Sequence, residues 1–385
     1  MTKANAFQTH PINHVDFSHE PVFMNKGIRS LHSLIHSIYQ QDQRGLFITL
    51  DGTHGADLDG LLTKLRQQCD QDGITLTCDS TSSHVKPEAE LRAEMARYLT
   101  DNRAFGYKAS DVHPLQYFRQ DARQALRASA LAAESNGGIH VLHGPGAYML
   151  AHREPDLAFY ADYSRENQQR RHAEHMGSFG FGVSHDKVET YKNCLFLEWP
   201  VWETYRRDWL SIHGNRSDQQ AYYIDLNRSH EPIWLSASCL AAVLNKAAQQ
   251  PFRVKPFFAP GIWGGQYLKE LCELPEAWPN CAWSFEPIAP ENTLLLHVQH
   301  VTLEVPFTLL MEASPLEILG RRNVELFGHY FPIRFDYLDT IQGGNLSLQV
   351  HPLQSYAEST FNEHMTQQES YYIMRNAPGA KVYLG

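Results

Sequence analysis

The sequence predicts an α/β domain on a mostly parallel sheet, followed by an all-β domain, and three observations carry that expectation. From about residue 28 to 248, short apolar runs alternate with longer segments of helical period. At 251–256 the pattern changes, and short β-type runs punctuated by Pro and Gly take over. A length of 385 residues, at about 150 per domain, allows two to three domains.

The elements follow in chain order. Residues 45–50 form a continuous apolar run, as in a strand buried on both faces. Leu58, Leu61, Leu62 and Leu65 then recur at helical spacing, and 74–78 reads as a second strand. Next come a helix over 115–134, strands at 139–142 and 157–160, a helix over 165–175, a strand at 194–197 and a helix over 199–210. A last strand from 233 leads into a helix capped near Ser236. Beyond 250, the runs 293–297, 301–305, 308–311, 346–350 and 371–374 predict an antiparallel β domain. The predicted domains are 28–249 and 250–385.

Composition removes several classes. With 33 Lys+Arg against 43 Asp+Glu the net charge is −10, and no basic cluster offers a nucleic-acid footprint. No apolar run approaches the roughly 18 residues needed to span a bilayer, and Met1 to Val15 lacks the apolar core of a signal peptide. The six cysteines are scattered without CxxC pairs, which predicts reduced thiols in a cytoplasmic protein and argues against zinc on cysteine.

The first strand runs into Asp51-Gly-Thr-His-Gly-Ala-Asp-Leu-Asp-Gly60, where a P-loop protein cradles phosphate on backbone N–H groups and a helix N-terminus. The lysine and the following Ser or Thr that such chemistry needs are missing, and Asp57 and Asp59 would repel phosphate. The stretch from Asp156 to Arg171 resembles the strand-to-helix segment with lid arginines of nucleoside and nucleotide kinases. Arg165, Arg170 and Arg171 read either as a phosphate grip or as an exposed helix face. Residues 40–230 thus resemble a three-layer P-loop kinase fold with a degenerate catalytic loop, which implies docking or ligand sensing rather than phosphoryl transfer.

In the second domain, Ser347, Gln349 and His351 would share one face of the 346–350 strand, with Leu346, Leu348 and Val350 on the other. Glu369 opens the next strand. Gln, His and Glu donors suit Zn²⁺ or another divalent first-row metal, although Gln-x-His also arises on ordinary solvated strands. Four further segments accompany this one in order: Pro256-Phe-Phe-Ala-Pro-Gly-Ile-Trp-Gly-Gly265, Phe327-Gly-His-Tyr-Phe-Pro-Ile-Arg-Phe-Asp-Tyr-Leu-Asp339, Glu369-Ser-Tyr-Tyr-Ile373 and Gly379-Ala-Lys-Val-Tyr383. Together, over about 253–385, they resemble type I phosphomannose isomerases.

The resemblance implies part of a cupin (jelly-roll) β-barrel holding one zinc ion through Gln349, His351 and Glu369, and isomerisation of mannose 6-phosphate to fructose 6-phosphate or of a related sugar. The family's fourth ligand is a His from a later strand, and the sequence stops at Gly385 before one, so the expectation is a fragment of a longer protein. Ser347 matches the family's phosphate-side serine. Two family lysines are replaced, by Asp336 and Gln367, which removes positive charge where a phosphate would sit. Arg334 could restore some of it or pair with Asp336 or Asp339, and Trp263 and Trp283 could stack on a sugar or pack a core. No residue is singled out as the acid/base group. The expected partner is a small sugar or sugar phosphate, with no nucleic acid and no membrane, and a homo-oligomer is compatible with the sequence. The alternative is a non-catalytic sugar- or nucleotide-binding regulator.

Overall fold

A computed structural model describes residues 9–17, 23–41, 45–216, 220–228, 230–363 and 365–383. The signal-peptide reading of Met1 to Val15 falls partly on 1–8, outside them. Among the described residues the chain is mixed α/β with three sheets, one of them largely parallel. No helix among the described residues is long and apolar enough to cross a membrane.

The main sheet has seven strands. Five are parallel: β3 (Leu46–Gly52), β4 (Leu76–Ser80), β5 (Ile139–His143), β6 (Leu157–Asp162) and β7 (Ala221–Asp225). They lie in the order β4-β5-β3-β6-β7, and the sheet is extended past β7 by antiparallel β8 (Ile233–Ser236) and then β2 (Met24–Lys26). The central place of β3 explains why all seven of its residues are buried, Thr49 and Asp51 included. Alternation sorts them by face. Ile48 and Leu50 meet Leu31 and Ile35 of helix Ile28–Tyr39 and the Leu58, Leu61, Leu62 and Leu65 stripe of helix Leu58–Gln71. Phe47 joins the opposite core, with Trp202, Tyr205 and Trp209 of helix Trp199–Gly214 and Leu240 and Val243 of helix Ala237–Ala248.

That second core runs past residue 250. β1 (Ile12–Val15) pairs in parallel with β11 (Thr293–Val298), which pairs antiparallel with β12 (Val301–Pro306). Leu294, Leu296, Leu303, Val305 and Phe307 pack in the same cluster as Leu235 and Leu240. The third sheet sets β10 (Trp283–Phe285) between β9 (Phe257–Ala259) and β13 (Asp336–Leu338).

Several expectations are corrected. Residues 194–197 are a π-helical turn between helices Lys187–Asn193 and Trp199–Gly214, not a strand. Cys194, Leu197, Val201 and Trp202 are buried at helical spacing, and a short apolar run by itself does not separate the two alternatives. The expected helix over 115–134 is a 3₁₀ turn (Pro114–Tyr117) followed by helix Ala122–Ser135. Residues 308–311 lie in helix Phe307–Ala313, which starts behind Pro306. Helices Pro315–Phe327 and Gln354–Phe361 also occupy the region read as all-β. Residues 346–350 and 371–374 take no strand partner, and Leu348 and Val350 are 91% and 85% exposed. Alternating apolar residues suit a strand, but only a neighbour on the right edge makes one.

Candidate functional site

Open α/β sheets offer ligands the carboxyl ends of their parallel strands, and here three of those ends carry buried aspartates. Asp51, Asp162 and Asp225 close β3, β6 and β7 or stand one residue from their ends, and all three are buried. Asp51 accepts hydrogen bonds from the Tyr205 hydroxyl and the Tyr148 N–H, both at 2.8 Å, and burial pushes its pKa up to about 7. Asp162 accepts from the Thr53 hydroxyl at 2.6 Å and the Tyr223 hydroxyl at 2.9 Å, and faces Arg206 at 3.4 Å. Asp225 accepts from the Glu304 N–H at 2.8 Å and the Asn227 N–H at 3.0 Å, and burial pushes it up to about 7. These carboxylates fasten the strand ends to surrounding elements.

The loop expected to meet phosphate is closed in the same way. Asp57 turns back to accept from the Gly60 N–H at 3.1 Å, capping helix Leu58–Gln71 with its own carboxylate. A Cβ on Gly60 would lie 2.3 Å from Asp57 Oδ2, so a side chain there would displace the capping carboxylate. Asp57→Ala is expected to lower stability by about 0.5–2 kcal/mol, read as a shift in the urea midpoint. Asp59 remains exposed. The three arginines separate: Arg165 is buried, 3.5 Å from the centroid of the Trp199 ring and paired with Glu203. Arg170 is exposed and pairs with Glu166, and Arg171 lies over Tyr163.

A further cluster, which the sequence did not reveal, lies on helix Arg165–Glu174 and the π turn. Helix Arg165–Glu174 carries His172, and the π turn carries Cys194 and Glu198. Cys194 Sγ is 3.3 Å from His172 Nε2 and 3.9 Å from Glu198 Oε2, and His172 Nε2 is 4.0 Å from Glu198 Oε1. The one signal in the sequence was the four-residue step from Cys194 to Glu198, which joins two side chains only if the segment is helical.

The residues singled out in the second domain fall into two groups. His351 Nε2 and Glu369 Oε2 meet at 2.7 Å, and Gln367 donates to the same carboxylate oxygen at 2.8 Å. Burial, then the hydrogen bond to Glu369, pushes Tyr371 up to about 12. Burial, then the Glu369 charge, raises Asp336, so both acids share this place. Gln349 and Ser347 are exposed on the same unpaired segment as His351. Arg334 lies apart from a pair with Asp336 and donates to the Tyr330 hydroxyl at 2.6 Å. Trp263 is only 5% exposed and edge-on to Trp283 at 4.7 Å, so its ring packs the small sheet rather than lining an open surface.

A comparison with curated proteins returns no match. Residues 29–249, more than half of the chain and nearly all of the seven-stranded sheet with its helices, match the family described as "Domain of unknown function (DUF8485)". The chain belongs to that family.

Proposed function

We propose that the chain is a metal-dependent aldose–ketose isomerase of the phosphomannose isomerase type, its metal held by Gln349, His351 and Glu369. The observation that supports this most directly is the meeting of His351 and Glu369 at 2.7 Å across 18 positions of sequence, with no strand ladder to force it. An imidazole and a carboxylate in contact, with an amide two residues from the imidazole, are a donor set suited to Zn²⁺. When bound, the zinc would polarise the sugar carbonyl so that a proton can move between C2 and C1 through an enediol. The protein's part is positioning. Gln367 and Tyr371 hold the Glu369 carboxylate, and Asp336 places a second negative charge beside it.

Asp336 also bears on the substrate. A dianionic phosphate near it meets repulsion where a lysine would attract, so an unphosphorylated or weakly charged sugar fits better. Asp336→Lys is expected to lower the KM for mannose 6-phosphate about tenfold or more, because one charge-assisted contact is worth roughly 1.5–3 kcal/mol. Steady-state assays on phosphorylated and free mannose check this. His351→Ala should abolish turnover of both.

The α/β domain is proposed as a P-loop-kinase-like fold, supported by the spatial order β4-β5-β3-β6-β7, in which the first parallel strand lies between the third and the fourth. Its helix N-terminus is occupied by Asp57, which favours a second reading of the whole chain as a sugar- or nucleotide-binding regulator. Metal-loaded protein that binds sugar without converting it supports that reading. Conversion that depends on His351 supports the first.

A further inference from the structure

The geometry points to a structural zinc site inside the α/β domain, built by His172, Cys194 and Glu198. It is independent of the isomerase reading and lies on other elements of the fold.

Four observations carry it. A tetrahedral zinc with one S, one N and one O ligand at its usual bond lengths separates the ligand atoms by roughly 3.3–3.6 Å. Cys194 Sγ and His172 Nε2 are 3.3 Å apart, His172 Nε2 lies 4.0 Å from Glu198 Oε1, Cys194 Sγ lies 3.9 Å from the other oxygen, Oε2, and one ligand atom from each residue falls within 4.8 Å of the others, so small rotamer changes close the set around one ion. The outer contacts are also in place. His172 Nδ1 faces the Met176 carbonyl at 3.0 Å, which fixes the tautomer and leaves Nε2 free to ligate, while the Phe179 N–H donates to Glu198 Oε2 at 2.6 Å.

The third observation is unmet polarity. Glu198 is 1% exposed and its Oε1 has no hydrogen-bond donor. The Tyr117 hydroxyl is buried and also unpartnered. Orphaned acceptors this deep cost free energy unless something supplies positive charge. A thiolate and a carboxylate with a neutral imidazole carry two negative charges, which one dication cancels.

The fourth is local backbone. The π-helical turn Cys194–Glu198 interrupts two α-helices at the point where both ligands arise, and such turns concentrate at functional sites because they re-aim side chains. The missing CxxC pairs argued against zinc on cysteine, but this set takes one ligand from helix Arg165–Glu174 and two from the turn 22 residues later. Closed and buried, it would pin those elements together rather than act on a substrate.

The test loads the full chain with Co²⁺ after chelator treatment and reads the thiolate-to-cobalt charge-transfer band. Wild-type protein is expected to bind one equivalent that carries this band. Cys194→Ser is expected to lose the band, and Glu198→Gln to weaken binding about 10–100-fold as loss of a ligand or its partner does. His351→Ala, at a site without thiols, is expected to keep the band, so failure here and failure of the isomerase reading are separable. If a variant does not fold, zinc-edge absorption on wild-type protein still decides, through one sulfur at about 2.3 Å. Cobalt bound without a thiolate band, a band unchanged in a folded Cys194→Ser, or zinc without a sulfur neighbour would overturn the proposal.

Discussion

Replacing Arg206 with alanine is expected to cost about 3–5 kcal/mol of folding stability, the range for breaking a buried ion pair from one side. Arg206 is 4% exposed and Asp162 fully buried, with the guanidinium 3.4 Å from both carboxylate oxygens. The same guanidinium donates to the Thr308 hydroxyl at 2.7 Å, tying helix Trp199–Gly214 to the segment after β12. Without it, Asp162 keeps the hydroxyls of Thr53 and Tyr223 but loses its countercharge in a site closed to water. Glu312, which burial pushes up to about 8 and the Arg206 charge pulls down, loses that opposing charge as well. Urea denaturation of the single variant and of Arg206→Ala with Asp162→Asn measures the effect. The double variant should recover part of the loss, because the uncompensated charge is gone, and a single-variant loss below about 1 kcal/mol would remove the pair from the list of what holds the fold together.

The second large effect is one of pH. Asp51 titrates near 7 in the folded chain because burial opposes its ionisation, against about 3.9 when unfolded. Between these values the native state keeps a proton that the unfolded state has released, so stability falls as pH rises, by up to about 1.4 kcal/mol per pH unit, and levels off above about 7. Asp51→Asn cannot ionise. Its stability relative to wild type should therefore climb from pH 4 to 7, by about 4 kcal/mol at most, and then stay flat. Asp225 and Glu312 act in the same direction in both proteins, while His54, His140 and His143, whose pKa values burial lowers, act in the opposite direction below about 6.5, so the difference between the two proteins is the quantity to read. A difference independent of pH would show Asp51 ionised in the folded chain.

What was legible followed from local periodicity. The buried stripe Leu58, Leu61, Leu62 and Leu65 lies where its spacing placed it, and β3, β5 and β6 begin within a residue of the apolar runs that predicted them. Strands β1, β2 and β7 of the described residues were not among those expected. Met24–Lys26 and Ala221–Asp225 are three and five residues long, and β1 owes its pairing to β11, some 280 residues away. Local pattern also failed where burial was complete: Cys194–Glu198 and Phe307–Ala313 are apolar enough to read as strands, and packing settles them as helical. At the sites, the proximity of His351 and Glu369 was readable only through an ordered set of motifs. The His172, Cys194 and Glu198 cluster was not, because its members meet only once two helices and a π turn are packed.

The most direct test of the proposed chemistry is to follow mannose 6-phosphate and free mannose by NMR in D₂O with zinc-loaded full chain, its chelated form and His351→Ala. The expected result is conversion to the matching ketose with solvent deuterium entering at the carbon that gains the proton, lost on chelation, restored by zinc and absent in His351→Ala. Zinc-loaded protein that leaves both sugars unconverted and unlabelled, or conversion at the wild-type rate in His351→Ala, would contradict it.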